Sequence, residues 1–138
     1  MPHARTLRHA RAPAPGFSLI ELMVVVAIIA IIAAIGYPTY TKYLVKTNRV
    51  AAQVHMMDLA QAQAQYLADS RSYAASVNDL GMTTPAVVSA KYTIKIALTD
   101  GPPSSFKITA TPVAGGSQVA DKELSIDSAG TRSPADKW

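Results

Sequence analysis

The pattern of apolar and polar positions changes character twice along this chain. Residues 17–36, FSLIELMVVVAIIAIIAAIG, are apolar on every side, with Glu21 as the single charged interruption. The unbroken run from Leu22 to Gly36 is 15 residues long. Adding Phe17–Ile20 brings it to the roughly 20 residues that a bilayer span requires, with the carboxylate near one end. From Tyr37 to about Asp69 the pattern becomes amphipathic. Tyr40, Tyr43, Thr47, Val50, Val54, Met57, Gln61 and Ala64 step by three or four, with Leu44, Ala51 and Leu67 beside them. That spacing predicts a helical stripe, and the Ala/Gln-rich stretch from Ala51 to Ala68 suits helix propensity. The two segments together predict one helix of about 50 residues, roughly 75–80 Å long. Pro38 is its internal breaker, so a kink or local unwinding is expected at Gly36–Pro38.

After a loop over Ser72–Ala90 the period drops to two. Tyr92, Ile94, Ile96 and Leu98 alternate with Thr93, Lys95 and Ala97, and Phe106, Ile108 and Ala110 alternate with Lys107, Thr109 and Thr111. The turn-rich DGPPSS between them predicts a hairpin. A third strand is expected over Glu123–Asp127, with Leu124 and Ile126 on one face and a turn closed by Gly130. The expected fold class is α+β: a long N-terminal helix packed on a small three- to four-stranded antiparallel sheet. The expected organisation is a basic leader over 1–16, an apolar helix over 17–38, and a head over 39–138 that includes the second half of the helix.

Composition sharpens this picture in two places. The formal charge is +4, which by itself suggests a polyanion partner. Yet Arg5, Arg8 and Arg11 precede the apolar block, leaving ten basic residues against nine acidic ones from Phe17 onward. The basicity thus belongs mainly to an N-terminal targeting segment. Cysteine is absent, which excludes disulfides, thiolate metal sites and thiol nucleophiles.

Candidate chemistry is sparse. His3 and His9 fall in the leader, and His55 is alone on the helix, where it reads as an ordinary surface or packing residue. Asp121, Glu123 and Asp127 lack the Gly-turned spacing of an EF-hand calcium loop and read as a solvated strand face. No nucleophile–base constellation or phosphate-cradling loop is present, so the sequence points away from catalysis and implies no cofactor or metal. Lys42, Lys46 and Arg49 share one helical face, and Lys91, Lys95 and Lys107 lie on or beside the strands. Both sets are candidates for phosphate contact, with DNA or with lipid. The plainer reading favours acidic headgroups for the helical set and edge or face protection for the strand set. Tyr37, Tyr40 and Tyr43 suit an interfacial aromatic belt or packing between subunits. Met56 and Met57 read as core or helix-packing residues.

The string GFSLIELMVVVAIIAIIAAIGYPTY resembles the N-terminus of type IV pilins and pseudopilins. The resemblance implies cleavage after Gly16 by a prepilin peptidase and N-methylation of Phe17. Glu21 matches the family's carboxylate four residues after the Phe, and Pro38 its proline beyond the apolar run. Pro15 stands where the common form has a basic residue. The resemblance implies that Glu21 pairs with the Phe17 amine of a neighbouring subunit; locally, Ser18-x-x-Glu21 also has capping-box spacing. The cut would precede the apolar stretch, so the mature chain keeps it. Three leader arginines predict a cytoplasmic N-terminus and an outside head, first in the inner membrane and then on an extracellular pilus.

The tail strings YTIKI, FKITATPVAGG and DKELSIDSAGTRSPADKW look like the minor pilins of the group that includes the DNA-uptake pilin. Many relatives carry cysteines where Lys122 and Lys137 stand here. The disulfide-closed loop is therefore missing, and Trp138 packing into the head is the expected anchor of a more mobile tail. The implied role is a structural pilus subunit, without enzymatic activity. Its implied partners are other pilin subunits, the prepilin peptidase and an inner-membrane assembly platform. A pseudopilin of a type II secretion system and a DNA-binding uptake receptor are the alternatives.

Overall fold

One helix, α1 (Leu19–Ser70, 52 residues), dominates the computed structural model, which describes residues 16–138. The leader expected over 1–16, with His3 and His9, lies outside the described residues except for Gly16. The chain divides into two units, one ending at Pro38 and the other spanning Thr39–Trp138.

In the first unit, Ser18 starts the helix: its Oγ accepts the Glu21 backbone N–H at 3.2 Å, as an N-cap serine does. The apolar side chains that follow, from Leu19 to Ile35, are largely exposed, most of them by half or more. β-branched residues such as Val24–Val26 are indifferent helix formers in water. In hydrocarbon, a helix is the one way a single segment satisfies its own backbone polar groups. Among the described residues, α1 is also the one helix long and apolar enough to cross a membrane. It continues as helix through Gly36 and Pro38, so the local unwinding expected there does not occur.

In the second unit α1 ends at Ser70, where Arg71 takes the left-handed φ of 55° that commonly terminates helices. A one-turn helix, α2 (Ala86–Ser89), interrupts the loop expected over 72–90. Strands β1 (Tyr92–Thr99), β2 (Ser105–Pro112), β3 (Leu124–Asp127) and β4 (Arg132–Ser133) follow. They pair antiparallel in the order β1-β2-β3-β4, the α+β architecture the sequence predicts. The register aligns Ile96, Ile108 and Ile126 in one row and Ile94, Ala110 and Leu124 in the next. Against this face α1 places Ala52, Met56 and Leu59, joined by Val88 and Tyr92. Tyr73 closes one end, edge-on to Phe106 at 4.9 Å.

The buried helix face meets the predicted stripe only at Ala51 and Met57, which pack partly against the core. Tyr40, Tyr43, Val50 and Val54 are exposed, as are Thr47, Gln61 and Ala64. Burial falls instead on Ala52, Met56, Leu59 and Gln63. Small and polar residues work there because their needs are met locally. The fully buried Gln63 amide donates to the Ala74 carbonyl at 2.7 Å and accepts the Ala74 N–H at 2.8 Å.

Candidate functional site

Two regions of the chain hold the residues singled out above. At the start of α1, Phe17 is 75% exposed, and the Ser18 half of the expected capping box is formed. Among the described residues the Glu21 carboxylate has no ion-pair partner. A Cβ added at Gly16 would meet no atom within 4 Å, and the same holds at Gly36. Gly36 has no positive φ, so the fold of the single chain does not require glycine there.

In the head, the structure regroups the six candidate cations. Lys42, Arg49 and Lys91 line one cavity of about 580 Å³, together with Lys137, which sequence reasoning treated only as the place of a missing cysteine. Lys46 is exposed on α1 and is not among the cavity's lining residues. Lys95 and Lys107 alternate with the core residues of β1 and β2 and so occupy the outer face of the sheet. There Lys107 stands opposite Asp127 in the β2–β3 register.

Arg49 is not a free surface cation. Its guanidinium ion-pairs with Asp121, whose side chain is fully buried, and its Nε donates to both carboxylate oxygens at 2.8 and 3.0 Å. The Tyr92 hydroxyl donates to the same carboxylate at 2.7 Å, and Gln118 Nε2 donates to the Tyr92 oxygen at 2.7 Å and to the Val45 carbonyl at 2.8 Å. Asn48 Nδ2 completes the set by donating to Gln118 Oε1 at 3.2 Å. The network fastens α1 to the 117–121 turn and to β1. Burial alone would raise the Asp121 carboxyl, but the hydrogen bonds from Arg49, Tyr92 and Gln118, with the guanidinium charge, hold it below its ordinary value. Burial first, and then the bond to Asp121, push the Tyr92 hydroxyl well above the usual tyrosine range. Arg49 is raised chiefly by its hydrogen bonds to Asp121.

The acidic trio read as a solvated strand face therefore separates into three local roles. Asp121 is the buried partner of Arg49. Glu123 accepts from the Thr111 hydroxyl at 2.8 Å. Asp127 accepts the backbone N–H groups of Thr131 and Ala129 at 2.9 and 3.0 Å, closing the β3–β4 turn at Gly130 (φ 78°). The Thr131 bond leads the causes that hold the Asp127 carboxyl below its ordinary value. Among the described residues no group of three or more metal-ligating side chains comes together. His55 is a buried packing residue whose Nε2 has no hydrogen-bond partner among the described residues. Burial lowers its pKa, against an opposing pull from Asp58.

The cysteine-free tail is held by several contacts. Trp138 packs against the core, donates Nε1–H to the Ser133 carbonyl at 3.1 Å, and carries the Arg132 guanidinium 5.3 Å from its ring centroid. Gln53 Nε2 donates to the Lys137 carbonyl at 2.6 Å. Lys122 pairs with Asp136 at 3.7 Å on the surface.

A long apolar helix leading into a small antiparallel head is the plan of pilin-like proteins, and the comparisons agree. Residues 13–37 match the model of the prokaryotic N-terminal methylation motif. Residues 38–124, more than half of the chain, match the model described as type IV minor pilin ComP, DNA uptake sequence receptor, and the chain belongs to that family. It is 32% identical over 66 residues to the type IV major pilin protein PilA of Myxococcus xanthus, an alignment covering 48% of this chain and 30% of that protein. It is 31% identical over 102 residues to a fimbrial protein of Pseudomonas aeruginosa, covering 70% of this chain and 66% of the relative. The chain thus spans about a third to two thirds of the length of these curated relatives.

Proposed function

We propose that the chain is a structural, non-enzymatic subunit of a type IV pilus, a minor one by its family, stored as a membrane-anchored precursor and polymerised through α1. The observation that carries this reading is the division of labour along α1. Its second half buries a face under the sheet, while the large apolar side chains of the first half, from Leu19 to Ile35, stay largely exposed. A bilayer satisfies that surface before assembly, and a bundle of like helices satisfies it afterwards. In this reading residues 1–16 are the leader, 17–38 the membrane and polymerisation helix, and 39–138 the head. The prepilin peptidase cuts between Gly16 and Phe17 and methylates the new amine. An enzyme that must thread the chain past its catalytic groups is a reason for the small residue at Gly16. Glu21, an ionisable group in an apolar segment, pairs with the Phe17 amine of the next subunit; such a pair sets register more than it adds stability. Gly36 and Pro38 provide the point at which α1 bends. An inner-membrane platform extracts the subunit, with its head outside and its leader in the cytoplasm.

Intact mass and N-terminal sequencing of the protein from its native membrane fraction test this. A chain beginning with N-methylated Phe17 is expected. Retention of residues 1–16, in cells whose other prepilins are processed, refutes it.

A second reading, a DNA-uptake receptor displayed on the pilus, is favoured by the family description and by the lysines at 42, 91, 95 and 107, with Lys46 beside them. Arg49 drops out of that set, since Asp121 holds it. A salt-dependent mobility shift of labelled duplex DNA, abolished by replacing these lysines, is its test. A type II secretion pseudopilin is disfavoured by the minor-pilin match.

A further inference from the structure

The cavity beside the Arg49–Asp121 pair has a charge balance that the filament role does not use. Lys42, Lys91 and Lys137 reach it from α1, from the residue before β1 and from the tail, three segments distant in sequence. None of their ammonium groups has an ion-pair or hydrogen-bond partner among the described residues, although Lys91 and Lys137 are half-buried. The one carboxylate in the lining, Asp121, is already neutralised by Arg49. Among the described residues, three cations thus line one cavity whose lining holds no second carboxylate. Leu44 and Val45 give the same cavity an apolar wall. A volume of about 580 Å³ is within the range of ordinary small-molecule sites.

We propose that this cavity is a phosphate site occupied by the headgroup of an anionic phospholipid while the subunit is in the membrane. The assignment rests on the membrane-anchored reading above. Lys42 lies six residues beyond Gly36, where the apolar run ends. Even fully extended, those residues span no more than about 22 Å, which keeps the cavity within reach of the headgroup layer. Lysine clusters next to a span attract anionic lipid at roughly fivefold per residue. A cavity with an apolar wall adds a fixed place for the phosphate and the first carbons of the glycerol. The lipid must leave before the subunit enters a filament, so the site couples extraction to headgroup release.

Native mass spectrometry of the full mature chain in detergent tests this. The chain is titrated with phosphatidylglycerol, with phosphatidylcholine of the same acyl chains, and with inorganic phosphate. Two triple variants remove equal charge: Lys42→Ala/Lys91→Ala/Lys137→Ala empties the cavity, and Lys46→Ala/Lys95→Ala/Lys107→Ala leaves it intact. The expected result is retention of phosphatidylglycerol over phosphatidylcholine, competition by phosphate, and a loss on the order of 100-fold in the first triple alone. Equal losses in both triples, or no preference between the lipids, overturn the site. Binding of phosphate without phosphatidylglycerol overturns the lipid source. Loss of duplex DNA binding in the first triple with lipid retention unchanged makes the cavity a DNA contact and overturns the lipid assignment. Circular dichroism keeps misfolding from passing as lost binding. Failure of the membrane-anchored reading looks different, since the wild-type chain is then recovered from cells without detergent.

Discussion

Replacing Arg49 by Met removes the guanidinium from a carboxylate whose side chain has no exposed surface. Breaking a buried pair from one side costs about 3–5 kcal/mol, because a charge is left uncompensated. Asp121 has an escape that sets an upper limit: it can take a proton. At pH 7 that costs about 1.4 kcal/mol for each unit between pH 7 and its ordinary value, which is 3.8. The penalty is therefore capped at about 4 kcal/mol at pH 7 and at about 2 kcal/mol at pH 5. The Thr39–Trp138 unit has 100 residues, so 4 kcal/mol corresponds to a fall in Tm of roughly 15–30 °C.

The sign of the pH dependence separates the variant from the wild type. In the wild type the folded Asp121 value is depressed. Its contribution is present above 3.8 and is lost as pH falls through the folded value, so its limb lies below pH 4. In Arg49→Met the folded value is raised, and stability falls as pH climbs from about 4 towards 7. Thermal unfolding of the full chain in detergent, followed by near-ultraviolet circular dichroism at pH 5 and pH 7, measures both. Adding Asp121→Leu removes the stranded charge and is expected to recover most of the loss. A penalty below about 1 kcal/mol, or one that does not change between pH 5 and 7, refutes the claim that this pair is buried and coupled.

Four further outcomes follow from the head. Gln63→Leu strands both the N–H and the C=O of buried Ala74 and is expected to cost about 2–4 kcal/mol in denaturant unfolding. His55 has a lowered folded pKa, so its contribution is full above its ordinary 6.5 and is lost as pH falls from there through the folded value. His55→Leu should flatten that limb in Tm-against-pH curves. Trp138→Ala removes a cation–π contact and a hydrogen bond, expected to cost about 2 kcal/mol and to speed proteolysis of the tail. Lys122→Ala, removing an exposed pair, should change stability by less than about 1 kcal/mol.

The strands were legible because alternation and a turn signal speak about neighbours in sequence. Tyr92–Leu98, DGPPSS and Phe106–Ala110 state the hairpin and its inward face without help from the rest of the chain. The apolar span was legible for the same reason. The Arg49–Asp121 pair joins residues 72 positions apart, and neither residue's surroundings in sequence announce the other. Asp121 sits beside Lys122 and Glu123 and reads as surface. Its burial depends on Tyr92 and Gln118 arriving at the same point. Lys137 was overlooked as a cavity residue because its place in the cavity is set by the path of the tail, including the Gln53 bond to its carbonyl.

The exposure of most of the α1 stripe says something about the helix itself. Periodicity identified an amphipathic face through Tyr40, Tyr43, Val50 and Val54, and those residues do share a spacing of three or four. They remain exposed, and the head covers another face, where Ala52, Met56 and Leu59 pack against the sheet and Gln63 is fully buried. A monomer with no further partner would have little reason to keep tyrosine and valine exposed along one line and a glutamine in its core. The arrangement becomes economical when two partners compete for one helix. The subunit's own sheet covers Ala52, Met56 and Leu59, and Tyr40, Tyr43, Val50 and Val54 stay exposed. If α1 also assembles as proposed, hydrophobicity along it reports the sum of folding and assembly, and the burial pattern of the single chain separates the two.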